Sequence, residues 1–152
     1  MTFGEMIGAL GENLGVELVD EGGAAAVQID GNTVILHAAG DDLMLIHADL
    51  GYVAPENRER VFAAAMEANF LYQGTGGATL AANPADGRLH LQKYNWLERM
   101  DADGMVETLS RFAETVSAWK RIAADASVAP EAFSDPETSS PVGLRAGGFM
   151  QV

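Results

Sequence analysis

The sequence predicts an α+β domain in the order α-β-β-β-α-β-β-α, with a twisted antiparallel sheet packed against helices. Three observations predict it. Residues 24–49 carry strand-length apolar segments broken by Asp30-Gly31 and Gly40-Asp41-Asp42, the turn chemistry that joins neighbouring antiparallel strands. Apolar residues recur at helical spacing in three other stretches, near the start, after Pro55 and after Asp101. Between the last two lies a second hairpin signal, with Leu89 and Leu91 alternating with polar residues.

Thr2 and Glu5 form a T-x-x-E capping box that opens the first helix. Phe3, Met6, Ile7, Leu10 and Leu14 form its apolar stripe, and Gly15 is its natural stop. Gly4, Gly8 and Gly11 lie inside it and each weakens it by roughly 1 kcal/mol relative to alanine. Such a helix depends on tertiary packing, or its glycines let another backbone come close. Three strands follow: Ala24–Ile29, then 33–38, then 43–49. If residues 39–42 form a four-residue loop, position 38 pairs with 43 and His47 falls opposite Val34. That register sends His37 and His47 to opposite faces. The third strand is apolar on both faces, with Leu43 and Leu45 on one and Met44 and Ile46 on the other. A meander with one wet face alternates more cleanly, so another element, a second subunit or a ligand chain is expected to cover the second face.

Pro55 suits the first turn of the second helix, whose stripe is Val61, Phe62, Ala65, Met66, Asn69 and Phe70. Asn69 is unusual on an apolar stripe, and a local backbone hydrogen bond that ends the helix is its simplest explanation. A glycine-rich turn at 74–77 and a hairpin over 78–96 come next. Asp101 is a plausible N-cap for the longest helix, to about Ala126, with Lys120 and Arg121 complementing its dipole. Trp119 sits on that helix's stripe and belongs in the core; Trp96 ends a strand and suits core, interface or peptide contact. The domain is therefore placed at 1–126. Residues 127–152 hold three of the five prolines and no helical period, and read as a Pro/Ser/Gly-rich tail.

Composition narrows the function. Of 152 residues, 48% are hydrophobic and 20% charged, a globular balance, and the net charge is −13. Such a surface repels phosphate backbones and anionic membranes, so neither nucleic acid nor membrane is an expected partner. There is no cysteine, which excludes disulfides and thiolate chemistry. The N-terminus carries Glu5 and no basic residue before its apolar positions, a poor signal peptide, and no apolar run is long enough to span a bilayer. A cytoplasmic protein is the expectation.

Reactive constellations are equally scarce. Phosphate loops lead into a helix N-terminus, whereas the glycines at 74–77 follow a helix and precede a strand. Asp101-Ala102-Asp103-Gly104 lacks the third ligand of a calcium loop, and its glycine falls too early. His37, His47 and His90 show no metal-ligand spacing. No catalytic residue, metal or cofactor is expected, and the chain reads as a binding protein rather than an enzyme.

The order of these segments resembles a known family. The first helix, the IDGNTVILH hairpin, the LMLIHADLG strand, MEANFLYQGTGGATLAANPADGRLHLQ and LERMDADGMVETLSRFAETVSAWKRIA are together similar to type III secretion effector chaperones of the CesT (Tir chaperone) family. The resemblance covers about residues 3–126, and the tail departs from it. It implies a homodimeric bacterial cytoplasmic chaperone without cofactor. Such a protein binds the extended N-terminal segment of a secreted effector and helps deliver it to the export apparatus, with the secretion ATPase a further partner. Carried to matching positions, it implies a dimer interface at Phe62, Met66, Asn69, Phe70 and Leu80. The implied effector groove lies at Met6, Ile7, Leu10, Leu43 and Leu45. The alternative is a YbjN-like protein-binding module of related fold without a secretion role.

Overall fold

The computed structural model describes residues 1–124, so the tail lies outside the described residues. Helix α1 spans Phe3–Leu14. Its capping box is formed: the Glu5 amide donates to Thr2 Oγ1 at 3.3 Å, and the Thr2 amide to Glu5 Oε2 at 2.7 Å. The Thr2 amide, and after it the Thr2 hydroxyl, holds the Glu5 carboxyl below its ordinary range. Gly15 ends the helix at φ 65°. Gly11 explains the glycine content in part: a Cβ there would lie 2.9 Å from the Val16 carbonyl oxygen, so only glycine lets the chain fold back so tightly.

The sheet contains β1 (Ala24–Ile29), β2 (Asn32–Ala38), β3 (Leu43–Tyr52), β4 (Thr79–Ala82) and β5 (Arg88–Trp96), in spatial order β1-β2-β3-β5-β4. Every neighbouring pair is antiparallel. Asp30 and Gly31 have φ of 50° and 77°, the left-handed pair that a two-residue hairpin needs. A bulge between Asp49 and Gly51 shifts the β3–β5 register, with the Gly51 amide donating to Asp49 Oδ1 at 2.8 Å.

The turn between β2 and β3 is one residue longer than expected. Ala38 pairs with Met44, and the Ala39 amide donates to the Leu43 carbonyl at 2.7 Å. His47 therefore lies opposite Ile35 rather than Val34. Side chains alternate with period two, so this single residue puts His37 and His47 on the same face, correcting the sequence expectation.

One face of the sheet buries Val27, Val34, Leu36, Met44, Ile46, Ala48, Leu89 and Leu91. Helix α1 and helix α3 (Ala102–Ala124) pack together over it. Asp101 caps α3 as expected, its Oδ1 accepting from the Gly104 amide at 2.8 Å. Near its other end α3 is tied to two distant turns. Trp119, fully buried, donates from Nε1 to the Gly74 carbonyl at 3.0 Å. Asn32, 4% exposed, donates to Ser117 Oγ at 2.7 Å and accepts from Lys120 Nζ at 3.0 Å. Lys120 thus serves an inter-element bond beyond the dipole role expected of it.

Helix α2 (Arg58–Asn69), after a one-turn 3-10 segment at Pro55–Asn57, lies beside β4. Its buried side chains are Val61, Ala64, Ala65 and Ala68. The small residues face inward, so only Val61 and Ala65 of the expected stripe are buried.

Candidate functional site

Two surfaces carry unpaid apolar exposure. The first is the outer face of the sheet. On β2 it presents Ile35 and His37, on β3 Leu43, Leu45 and His47, and on β5 His90, Gln92, Tyr94 and Trp96. Among the described residues no helix covers this face. Tyr94 and Trp96 are 58% and 53% exposed, and the others are half-buried by their cross-strand neighbours. Leu45 lies directly opposite both His37 and Tyr94, and Leu43 opposite Trp96, which makes one apolar lane across β3 and β5 with His37 of β2 at its margin.

Beside that lane runs a row of histidines. The His37 and His47 ring centroids are 5.0 Å apart, and those of His47 and His90 are 6.0 Å apart. His47 Nδ1 is buried without a hydrogen-bond partner. Burial pulls the His47 pKa below its ordinary value, and charge on His37 and His90 pulls it further, against the opposing pull of Asp49. Asp49 itself is bound by Arg88 Nε at 2.6 Å. Burial pushes the Asp49 carboxyl up, but the Arg88 and Gly51 hydrogen bonds outweigh it, and the carboxyl stays below its ordinary range. Among the described residues no group of three histidine or acidic side chains is placed to hold a metal ion.

The two edges of the sheet differ. At the β4 edge, Asn69 reaches across as a strand would: Leu80 N–H donates to its Oδ1 at 2.9 Å, and its Nδ2 donates to the Leu80 carbonyl at 3.0 Å. This bond spans eleven residues, so Asn69 does not merely end its own helix. At the β1 edge the two-residue hairpin makes Ile29 and Asn32 a hydrogen-bonded pair. Alternation then points the peptide groups of Ala24, Ala26 and Gln28 away from β2. The Ala24 carbonyl accepts from the Glu21 amide at 2.8 Å, and no described strand lies beyond Ala26 and Gln28.

The second apolar surface follows α2. Met66 is 75% exposed and Phe70 68%, and Leu71 and Tyr72 continue the patch at 62% and 55%. Phe62, one turn before Met66, is half-buried. Leu71 and Tyr72 have φ of 53° and 56°, a left-handed conformation that bulky side chains rarely adopt. A Cβ at Gly74 would lie 2.6 Å from Ala68 Cβ, so the chain turns back there against α2.

The sequence-derived positions thus fall into three groups. Phe62, Met66 and Phe70 lie on the α2 patch, and Leu43 and Leu45 on the outer sheet face. Asn69 is engaged with Leu80, which is 5% exposed. Met6, Ile7 and Leu10 are core side chains, at most 2% exposed, beneath α3 and the sheet. Ile35, Gln92 and Tyr94 and the histidine row were not singled out as a site. Their signal was alternation along β5, which places Gln92, Tyr94 and Trp96 on one face but needs the register to join them to β3. Trp96, for which three environments were open, is not in this chain's core.

The family model of the Tir chaperone protein (CesT) family matches residues 5–120. No curated protein matches the sequence. Among solved structures, a chain of the heterodimeric ExoU–SpcU complex from the type III secretion system of Pseudomonas aeruginosa superposes with a TM-score of 0.63 at 20% identity, covering 76% of this chain and 95% of that one. A chain of the ExsC–ExsE complex gives 0.63 at 18% identity, covering 79% and 92%. The structure of the Yersinia pestis type III secretion chaperone SycH with a fragment of YscM2 gives 0.60 at 15% identity, covering 78% and 99%. At these identities the likeness is one of fold.

Proposed function

The chain belongs to the Tir chaperone protein (CesT) family, and from that premise we propose that it is a type III secretion chaperone holding an extended segment of a secreted effector. It keeps that segment soluble and competent for export, works in the bacterial cytoplasm, and acts by binding rather than by catalysis. The observation that carries this reading is the outer sheet face, an apolar lane of Leu43, Leu45, Tyr94 and Trp96 that no described helix covers, in a strongly acidic protein.

The physical route is strand addition. One stretch of an extended chain can pair with the outward peptide groups of Ala26 and Gln28, and a further stretch can cross the outer face over β2 to cover the lane on β3 and β5. Main-chain bonds give sequence-tolerant affinity, and the lane selects apolar side chains. The α2 patch supports a homodimer through Phe62, Met66 and Phe70, with Leu71 and Tyr72 extending it. Asn69 and Leu80 act indirectly there, by holding α2 against β4. A symmetric pair presents the lane twice, so one effector engaging both gains by effective concentration. Exposed apolar lanes invite aggregation, and the net charge of −13 opposes it.

The test is purification of the tagged chain from its native lysate at pH 7.5, with the bound protein identified by mass spectrometry. The expected partner binds through a segment near its own N-terminus and is lost by Leu45→Glu with Tyr94→Glu. A folded double variant that retains the partner undiminished rules out the outer face as the site.

A further inference from the structure

The histidine row lies inside the surface just assigned to the effector, and this inference rests on that assignment. We propose that the His37–His47–His90 row makes occupancy of the outer sheet face proton-sensitive. Neutral, the row is part of the floor that an extended apolar segment covers. Protonated, it places charge beneath that segment, and the segment is released.

The geometry supports this in three ways. First, the rings are too close for independent charging: 5.0 Å and 6.0 Å separate the central ring from its neighbours, so each proton opposes the next. Second, His47 Nδ1 is already buried without a partner, and a covering segment would remove still more water from a ring that must hydrate to charge. Third, few counter-charges are in reach. The outer positions of β1 are Ala24, Ala26 and Gln28, and those of β4 are Thr79 and Ala81. On β2 the titratable group is His37. On β3 they are Asp49, bound to Arg88 at 2.6 Å, and Tyr52, which pairs with Arg88. On β5 they are Arg88, His90 and Tyr94. Among the described residues the one carboxylate near the row, Asp49, is thus engaged by an arginine, and α1 and α3 pack on the opposite face.

Binding and protonation are then linked, and each weakens the other by the same factor. A histidine of ordinary pKa that must be neutral in the complex weakens binding about tenfold between pH 7.5 and 5.5, and one of lowered pKa weakens it by less.

Two measurements decide the matter. The complex captured at pH 7.5 is washed at pH 5.5, comparing wild type, His47→Gln and the triple variant His37→Gln, His47→Gln, His90→Gln, each checked for folding by circular dichroism. Release from wild type with retention by the triple variant is expected. Equal retention by wild type at both pH values, or equal release from all three proteins, overturns the proposal. If wild type captures nothing at pH 7.5, the chaperone reading fails instead. The second measurement needs no partner. In NMR titrations of the ring protons, His47 should titrate below the ordinary histidine value and move up when His37 and His90 are both glutamine. A His47 curve that ignores both neighbours removes the coupling on which the proposal stands.

Discussion

Replacing Asn69 should destabilise the sheet through the β4 edge, beyond which no described strand lies. In the native chain its amide makes two bonds to one peptide group pair, at 2.9 Å from Leu80 N–H and 3.0 Å to the Leu80 carbonyl. Each such bond contributes about 0.5–1.5 kcal/mol net. Asn69→Ala should therefore cost about 1–3 kcal/mol, lowering the melting temperature by roughly 3–10 °C for a chain of this size. Asn69→Asp separates the two bonds. Its carboxylate can still accept from Leu80 N–H but confronts the Leu80 carbonyl with a second acceptor, so at pH 7 it should be about 1 kcal/mol worse than alanine. The pH dependence has a defined sign. The folded state prefers the protonated carboxyl, which can donate, so its folded pKa lies above the unfolded one. The excess penalty is therefore present above the folded pKa and disappears as pH falls below the unfolded value. Urea unfolding followed by circular dichroism, at one protein concentration because self-association shifts apparent stability, measures all of this. If Asn69→Asp equals Asn69→Ala across pH 4–7, or if the alanine variant is within about 0.3 kcal/mol of wild type, the edge-pairing argument is refuted.

Other outcomes follow from burial. Met66→Glu with Phe70→Glu alters side chains that are 75% and 68% exposed; it should abolish self-association in sizing experiments while changing monomer stability by no more than about 0.5 kcal/mol per site. Met6→Asp with Leu10→Asp buries two carboxylates at core positions and should cost about 3 kcal/mol or more at each. Loss of the cooperative thermal transition is the expected result, and a folded variant that merely loses its partner would place these residues in a groove after all. Because the His47 pKa is lowered in the fold, the unfolded chain binds more protons between the two pKa values. Stability should fall as pH drops through the ordinary histidine value and level off below the folded one. His47→Gln should flatten that slope, as read from unfolding midpoints over pH 5–7.5.

Much of the fold was legible because the signals were local. Thr2 with Glu5, Asp30-Gly31 and Asp101 each announce an element boundary through one turn of backbone chemistry, and each is found as read. That β3 is apolar on both faces was also legible, since Leu43 and Leu45 alternate with Met44 and Ile46; among the described residues no element of the chain supplies the expected cover. The failures needed information from elsewhere in the chain. One extra residue in the turn before β3 inverted the relation of His37 to His47, and hydrophobic pattern could not fix that length because both faces of β3 are apolar. In α2 the apolar stripe was legible but not which of its residues turn inward: Phe62, Met66 and Phe70, expected at a dimer interface, lie outside the buried set, and the inward face is mostly alanine. Close packing against β4 rewards small side chains, a preference that a ranking by hydrophobicity conceals. Whether the α1 stripe is core or groove depends on α3, ninety residues away in sequence.

That dependence on α3 sets an order of events during synthesis. The helix carrying Ser117, Trp119 and Lys120 fastens the first hairpin at Asn32 and the glycine turn at Gly74, and it covers much of the inner sheet face. Every described strand is already made when Trp96 leaves the ribosome, but the clasp at Trp119 comes only after residues 97–118. At roughly 5–20 residues per second this is a delay of about one to five seconds. During it the nascent sheet has its apolar side open and its two turns unlocked. The chain thus briefly exposes apolar surface of its own, before α3 closes the inner face of the sheet.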